Sequence, residues 1–325
     1  MQLVLDTKGL KIQKKNGTFL VISEKGERSI SPAKLSSIAI TATVELSTDA
    51  ILLAVDNQLP IIFFNRIGKP QARLWSPYFS SISTLRRQQI LFAEIPEATS
   101  WMVSLFEIKT EQQLQTIKYL KQKNGRLNIA LTTASNGIKR NGRNLDNYRG
   151  MILDKARPSL LGVEGSIARI YWQAVGNGIP RVYGFSERSR RPAKDIFNAA
   201  LNYLYGMLYS VVEGAIFAVG LDPHLGIFHV DAHDKPTLSF DLIEPFRPWV
   251  DLLLVKQCYE GTLKKSQFTQ NRYGIFLNKE GKAHFIPVFN DFMRSKLIFL
   301  DQEASVKNHI HYLAGQLAQR IRSSF

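Results

Sequence analysis

Residues 220–251 read GLDPHLGIFHVDAHDKPTLSFDLIEPFRPWVD. This stretch places His229 fifteen residues before Glu244, a carboxylate with apolar neighbours that opens onto Pro-Phe-Arg-Pro. Ionisable side chains are costly to bury unless they are paired or bound to a metal. Glu244 therefore needs a partner, which is either Arg247 in a salt bridge or a metal ion. Pro245 and Pro248 predict a turn into a new helix, and residues 238–240 read as a short strand.

The same stretch offers further metal-ligand residue types. Asp241 lies three residues before Glu244, whereas Asp231, His233 and Asp234 read as a solvated turn. His229 taken alone favours a hydrogen-bonded core histidine over a metal ligand. One histidine with two or three carboxylates suits Mg²⁺ or Mn²⁺ better than structural zinc, which favours thiolate and imidazole.

A third carboxylate, Glu164, lies in a separate segment with helical periodicity. Pro158 predicts the start of a helix that runs to Val175, and Glu164 falls on its apolar stripe. A carboxylate on such a stripe is either a metal ligand or a boundary glutamate paired with an arginine, Arg157 or Arg169 being the nearest.

Composition indicates a basic globular protein of 325 residues, with 45% hydrophobic residues and a net charge of +15. The densest basic segment, residues 118–149, holds eight lysines and arginines against Asp146 alone. Such a segment either binds nucleic acid or solubilises the surface, and the carboxylate pattern favours nucleic acid. One cysteine, Cys258, excludes an intrachain disulfide and predicts a reducing, cytoplasmic location. The sequence predicts no transmembrane segment and no membrane partner.

The periodicity of the chain changes near residue 83. The first part alternates short apolar runs with turns, and Ser47 is a natural N-cap for one helix. Proline and serine density over 76–83 predicts a linker, after which helical spacing dominates. The predicted fold class is α+β, with a small N-terminal β-rich domain (residues 1–82) and a larger, mostly α-helical catalytic domain (83–325). Within the latter we expect a basic loop or broken helix over 124–147 and a hairpin pairing 273–277 with 283–286.

A second basic cluster precedes a predicted helix at Asp195. It suggests phosphate contacts from cations and base stacking by a tyrosine, and its members are Arg188, Arg190, Arg191, Lys194 and Tyr203. The plainer interpretation is an ordinary helix N-terminus with Pro192 near its start. That interpretation leaves unexplained why four cations gather at the helix end where positive charge is least favourable.

Several runs together resemble one known family. They are RRPAKDIFNA (190–199), GLDP (220–223), GIFH (226–229) and LSFDLIEPFRP (238–248), and in this order they resemble the CRISPR-associated adaptation integrase family, Cas1. Lys109 with Gln112 and Gln113 is similar to a Lys-x-x-Asn-Gln helix of that family, with Gln in place of Asn. The resemblance covers nearly the whole chain.

The resemblance implies a site and a reaction. Its metal triad falls on Glu164, His229 and Glu244, with Asp241 as a close supporting carboxylate. It implies an N-terminal domain that mediates homodimerisation, and double-stranded DNA and the small protein Cas2 as partners. The implied activity is metal-dependent insertion of short duplexes at a CRISPR repeat by 3′-OH transesterification. Two alternatives stay open, a general structure-selective DNA nuclease and a catalytically silent DNA-binding scaffold.

Overall fold

The N-terminal region forms two four-stranded sheets with one helix. The computed structural model describes residues 2–35, 37–64, 70–74, 83–190 and 192–325. The elements of this region, with a short 3₁₀ turn at Pro32–Lys34, are β1 (Gln2–Leu5), β2 (Lys11–Lys15), β3 (Thr18–Ser23), β4 (Gly26–Ile30), β5 (Ser37–Ile40), β6 (Glu45–Leu46), α1 (Thr48–Asp56), β7 (Ile61–Phe64) and β8 (Pro70–Leu74). The predicted helix after Ser47 is confirmed, because the Ser47 hydroxyl accepts a hydrogen bond from the Ala50 N–H at 3.2 Å.

The two sheets differ in strand direction. One has the order β1-β5-β7-β8, in which the first three strands are parallel and β8 is antiparallel to β7. The other has the order β4-β3-β2-β6 and is antiparallel except for the parallel pair β2–β6. Helix α1 supplies Ala50, Leu53 and Ala54 to the shared core of this region. The strands β4 and β6 were not predicted, since edge strands as polar as GERSI carry little hydrophobic signal.

The rest of the chain is mostly helical, which confirms the predicted fold class. Its elements are α2 (Ser83–Phe92), α3 (Pro96–Lys123), α4 (Asn128–Gly142), α5 (Leu153–Gly178), α6 (Ile196–Ala218), α7 (Thr237–Leu242), α8 (Arg247–Tyr259), β9 (Phe268–Asn271), β10 (Gly274–Leu277), α9 (Lys279–Arg294), β11 (Lys296–Phe299), β12 (Gln302–Ser305) and α10 (Val306–Ser323). Short 3₁₀ turns connect several of these helices. The proposed domain boundary at 82/83 adjoins residues 75–82, which lie outside the described residues, so the boundary stays a prediction.

Three local predictions in this region are wrong. Helix α5 begins at Leu153 rather than at Pro158, because the buried Leu153 and Ala156 extend its apolar stripe upstream of the proline. The expected strand at 238–240 lies in α7, whose buried Leu238 and Leu242 have helical spacing. The hairpin pairs β9 with β10, and residues 283–286 lie in α9 instead.

The hairpin error has a clear local cause. Asn278 caps α9 by accepting a hydrogen bond from the Gly281 N–H at 3.0 Å, so the polar run Asn-Lys-Glu-Gly starts a helix and does not close a turn. Over 124–147, the broken-helix alternative is correct: α4 is flanked by 3₁₀ turns at Gly125–Leu127 and Arg143–Tyr148.

The two regions are joined by buried polar contacts. The Gln2 N–H donates to Asn290 Oδ1 at 3.0 Å, and the Asn290 side chain donates back to the Gln2 carbonyl, which ties β1 to α9. Arg73 of β8 pairs with Glu213 of α6 at 2.8 Å. The N-terminal sheet therefore docks on α6 and α9. No helix within the described ranges is long and apolar enough to cross a bilayer.

Candidate active site

A lysine ammonium joins the two glutamates that the sequence singled out. Lys109 of α3 places its Nζ 2.5 Å from Glu164 Oε1 and 2.6 Å from Glu244 Oε2. Glu164 comes from α5, and Glu244 begins the 3₁₀ turn Glu244–Phe246 between α7 and α8. Carboxylates from two distant segments thus converge on one cationic point. The partner of Glu164 is Lys109, and not Arg157 or Arg169 as the plainer sequence interpretation had it.

Glu244 is the more buried carboxylate and the more strongly paired. Its other oxygen, Oε1, accepts a hydrogen bond from Arg247 Nε at 2.8 Å, so the salt bridge considered from the sequence is present. Burial raises the pKa of Glu244, but the charges of Arg247 and Lys109 outweigh burial and lower that pKa to about 2. Burial likewise opposes the charge of Lys109, and the two glutamates reverse this, so the pKa of Lys109 is raised. Lys109 and Glu244 therefore stay charged at neutral pH.

Asp241 organises the loop that carries His229. It is fully buried, and its two oxygens accept hydrogen bonds from the backbone N–H groups of Ile227, Phe228 and His229 at 2.8, 2.9 and 3.0 Å. The same carboxylate lies 2.6 Å from His229 Nδ1. Because Nδ1 faces the carboxylate, Nε2 is the ring nitrogen left to face a ligand. Asp241 therefore fixes both the backbone and the ring of His229.

The histidine loop is also shaped by a glycine and by an arginine. A Cβ on Gly226 would come within 2.3 Å of the His229 carbonyl and 2.8 Å of the Thr237 side chain, so only glycine fits there. Arg157 of α5 donates from Nε to the Phe228 carbonyl at 2.9 Å. This bond fastens the loop to the helix that carries Glu164. His229 also acts electrostatically on Glu244, so the two side chains belong to one neighbourhood.

Behind Glu244 lies a buried network of tyrosines that the sequence did not reveal. Arg247 donates to the Tyr209 hydroxyl and stacks 4.9 Å from the centre of the Tyr205 ring. Tyr205 and Tyr171 in turn donate to the two oxygens of Asp251, at 2.5 and 2.9 Å. Burial raises the pKa of Asp251 from its ordinary value of 3.8 to about 6, although both tyrosine hydroxyls lower it in part. The network fixes Arg247, which fixes Glu244.

The raised pKa of Asp251 predicts a stability that falls as the pH rises. Its folded pKa exceeds its unfolded value, so its contribution is lost between pH 3.8 and about 6. A shift of about 2 pKa units corresponds to about 3 kcal/mol. The unfolding free energy of Asp251→Asn should therefore rise by about that amount relative to the wild type when the pH is raised from 4 to 7. Urea unfolding of both proteins at the two pH values measures this difference. A difference independent of pH would contradict the raised pKa.

The donor set fits a divalent cation, although the arrangement is not that of a closed triad. Among the described residues, no three His, Cys, Asp or Glu side chains gather as a group ready to hold an ion. Glu164 and Glu244 instead share the Lys109 ammonium, and His229 is close enough to Glu244 to lower its pKa. Two carboxylates that already converge on one cation, beside an imidazole with its tautomer fixed, are nevertheless the oxygen and nitrogen donors that Mg²⁺ or Mn²⁺ would use.

The residues predicted to contact DNA lie in different environments. Arg188 is engaged within the chain, since its guanidinium donates to Asn198 Oδ1 and Asn202 Oδ1 at 2.8 and 2.7 Å. Arg190 is exposed, and Lys194 is exposed in a salt bridge to Glu187 at 3.0 Å. Arg191 lies outside the described residues. Tyr203 is half-buried and lines a cavity of about 320 Å³ between the N-terminal sheet and α6.

The family of the chain is decided by a match over nearly its whole length. Residues 3–291 match the model of the family described as CRISPR associated protein Cas1. The chain belongs to the Cas1 family. The resemblance stated from the sequence is therefore confirmed, and so is the prediction of a CRISPR-associated DNA endonuclease or integrase at the level of the family. Cas1 nucleases generally depend on a metal ion.

Curated relatives of this chain include endonucleases from two organisms. The CRISPR-associated endonuclease Cas1 1 of Archaeoglobus fulgidus is 32% identical over 262 residues, which cover 77% of this chain and 75% of that protein. The CRISPR-associated endonuclease Cas1 1 of Thermus thermophilus is 28% identical over 296 residues, covering 90% and 86%.

Solved structures share the fold of this Cas1 chain. A casposase bound to its integration product has a TM-score of 0.83 at 23% identity, covering 100% of this chain and 91% of that one. A Cas1 protein from Thermotoga maritima has a TM-score of 0.75 at 20% identity, covering 99% and 97%. A chain of a Cas6-RT-Cas1–Cas2 complex has a TM-score of 0.79 at 22% identity, covering 100% of this chain and 35% of that one.

Proposed function

We propose that this protein is the integrase of CRISPR adaptation, and that it joins short DNA duplexes to a repeat array at the Lys109–Glu164–Glu244 site. The observation that carries the proposal is the convergence of Glu164 and Glu244 on one cationic point, beside a histidine oriented by Asp241. Glu164, His229 and Glu244 would hold Mg²⁺ or Mn²⁺. A divalent cation bound there supplies charge neutralisation at the phosphate and activation of the attacking hydroxyl.

The reaction is a transesterification: one phosphorus–oxygen bond forms and one breaks, so no further reactant is needed. The 3′-oxygen of the captured duplex forms a new bond to a phosphorus at the repeat boundary, and the bond from that phosphorus to the 3′-oxygen of the repeat strand breaks. The proton of the attacking hydroxyl is lost, and the departing 3′-oxygen gains one. Lys109 is placed to stabilise negative charge beside the two glutamates, and Arg247 holds Glu244 in position.

DNA would be held by the exposed basic surfaces. Arg190, Arg191 and Lys194 are proposed to contact the DNA backbone. Arg188 is hydrogen-bonded to Asn198 and Asn202, and Tyr203 is half-buried. These two residues would support the segment that carries the exposed cations. The basic segment 118–149 would add affinity independent of sequence. We include a homodimer formed through the N-terminal domain, a Cas2 partner and a cytoplasmic location in the proposal. Cas2 is present with Cas1 in the complex that shares the fold.

The test is a strand-transfer assay with the whole protein. A repeat-containing supercoiled plasmid, a short duplex, Mn²⁺ and the Cas2 partner should give joined product that a chelator abolishes. Cleavage of branched DNA without any joining would favour the structure-selective nuclease. Joining that persists in Glu164→Gln and in His229→Ala would overturn the assignment of the site and favour a scaffold role. The control is Lys8→Gln, which replaces an exposed lysine of the N-terminal region and should leave joining unchanged.

The exposed cations of α4 and the turn after it should account for part of the salt dependence of DNA binding. Replacing Lys139, Arg140 and Arg143 by glutamine should weaken affinity for any duplex and reduce the slope of log K against log salt by about 2–3. The matched control replaces Lys8, Lys14 and Lys15, which removes the same charge from the N-terminal region. Equal slopes for the two triple variants would show that net charge alone is responsible.

A further inference from the structure

A second cavity between the two regions has an arginine, a lysine and a histidine in its lining. Its volume is about 240 Å³, and it lies between the N-terminal domain and helices α6 and α10. Arg73 of β8 lines it from one region, and Lys307 and His311 of α10 line it from the other. Lys307 and His311 are four residues apart, so they lie on the same face of α10, one turn apart. This cavity is separate from the active site, and none of the reaction steps proposed above uses it.

Arg73 is buried without enough hydrogen-bond partners. Its side chain is 7% exposed, and it stacks 4.4 Å from the centre of the Phe217 ring. Nη2 lies 2.8 Å from Glu213 Oε1, but without hydrogen-bond geometry, and within the described part of the chain Nε, Nη1 and Nη2 are buried without a hydrogen-bond acceptor. A buried guanidinium needs acceptors on its free N–H groups, because each unsatisfied donor costs free energy. An acceptor inside the cavity would meet that need.

The α10 wall of the cavity supplies one cation, Lys307, and a histidine that is neutral at neutral pH, with no acidic partner among the described residues. Among the residues that the structure describes, neither Lys307 nor His311 is in an ion pair. Burial lowers the pKa of Lys307, and burial together with the charge of Lys307 lowers the pKa of His311 to about 4. Glu213 is the nearby carboxylate, and the cations that act on it are Arg73 and His224, so it does not compensate Lys307. The α10 wall of the cavity therefore lacks a negative charge.

We propose that this cavity binds a phosphate-type oxyanion, with Arg73, Lys307 and His311 as its ligands. A tetrahedral anion offers several acceptor oxygens, which suit the planar fork of an arginine and the point charge of a lysine at the same time. Because the ligands come from β8 and α10, the anion ties the N-terminal domain to the helical domain. The phosphoryl group comes either from free phosphate or from the 5′ end of a DNA strand.

Calorimetric titration of the full-length protein with inorganic phosphate tests the proposal. At fixed pH and fixed ionic strength, phosphate should bind at one site per chain, and sodium chloride should not. Phosphate at ten times its Kd should also raise the Tm by about 2 °C. Lys307→Gln should weaken phosphate binding at least tenfold. Lys279→Gln, which removes an exposed lysine of α9, should leave it unchanged.

Two kinds of outcome would overturn the proposal. Absence of phosphate binding, or equal binding by the wild type and Lys307→Gln, means that water alone fills the cavity and overturns the proposal. Equal loss in Lys279→Gln means a general charge effect and also overturns it. If Lys307→Gln does not fold, as judged by circular dichroism, His311→Gln takes its place, with the same expected tenfold loss.

The source of the phosphoryl group is decided with one duplex in two forms. Affinity for a short duplex with 5′-phosphates is compared with affinity for the same duplex with 5′-hydroxyls. A preference for the phosphorylated form that disappears in Lys307→Gln identifies the DNA end as the ligand. Equal affinity, together with phosphate binding in calorimetry, identifies free phosphate. The strand-transfer assay is read separately, so failure of the oxyanion site leaves the proposed function untouched.

Discussion

Replacing Glu244 by glutamine should reduce joined product by on the order of 10³-fold, the largest effect expected of any single change in the helical domain. Glutamine keeps the shape of the side chain and removes its charge. The Lys109 ammonium and the Arg247 guanidinium then face a neutral amide, and a divalent cation loses one of its carboxylate ligands. Single-turnover joining at saturating Mn²⁺ measures the loss, and titration with Mn²⁺ measures the weakened metal binding.

The same change should also lower stability, with a definite dependence on pH. The depressed pKa of Glu244 means that its charge stabilises the fold above the unfolded pKa of about 4.5, and that this contribution is lost as the pH falls towards 2. Glu244→Gln should therefore cost about 3 kcal/mol at pH 7 and progressively less below pH 4. Glu303→Gln, which replaces an exposed residue of β12, should neither reduce joining nor lower stability.

The two readouts separate a catalytic role from a structural one. Both assays are run at a temperature at which circular dichroism shows the variant folded. If Glu244→Gln loses stability but joins DNA within a few-fold of the wild type, the carboxylate serves only its pairs with Arg247 and Lys109. The metal would then have to be held elsewhere.

The parts of the fold that followed from the sequence are those in which local periodicity coincides with burial. Helix α6 was predicted to begin at Asp195, and in the structure Asp195 is its N-cap and accepts a hydrogen bond from the Asn198 N–H at 2.7 Å. The start of α5 was misplaced because a proline was taken as its beginning. In the structure the proline is tolerated inside the helix, since buried leucine and alanine upstream keep the helix packed. Tertiary packing outweighed the local signal.

The sequence identified the residues of the site but not their arrangement in space. Glu164, His229, Asp241 and Glu244 were all singled out, yet the sequence could not show that Lys109 lies between the two glutamates. Lys109 lies 55 residues from Glu164 in the chain, and no periodicity links residues at such separations. Its family-like spacing to Gln112 was the one available signal. Gln112 accepts a hydrogen bond from Trp249 Nε1 at 2.9 Å, which joins α3 to α8 at the base of the site.

Asp241→Asn is expected to have the second large effect, because one carboxylate supports the whole histidine loop. It accepts three backbone N–H bonds and faces His229 Nδ1. An amide has one acceptor oxygen and would direct its NH₂ at donors that already need acceptors. We expect a loss of about 3 kcal/mol in unfolding free energy, since charge-assisted bonds are replaced by unsatisfied buried groups. Metal affinity should fall 10- to 100-fold as the imidazole loses its orienting partner.

Asp231→Asn is the matched control, because Asp231 lies in the same loop and makes two hydrogen bonds of its own. It accepts from the Gly226 N–H at 2.8 Å and from the Thr237 hydroxyl at 2.9 Å, but it is exposed. It should cost about 1 kcal/mol and leave Mn²⁺ affinity within two- to three-fold of the wild type. If the two variants lower metal affinity equally, the loop backbone governs the site. If Asp241→Asn lowers stability but leaves Mn²⁺ affinity unchanged, His229 binds the metal without needing the tautomer that Asp241 imposes.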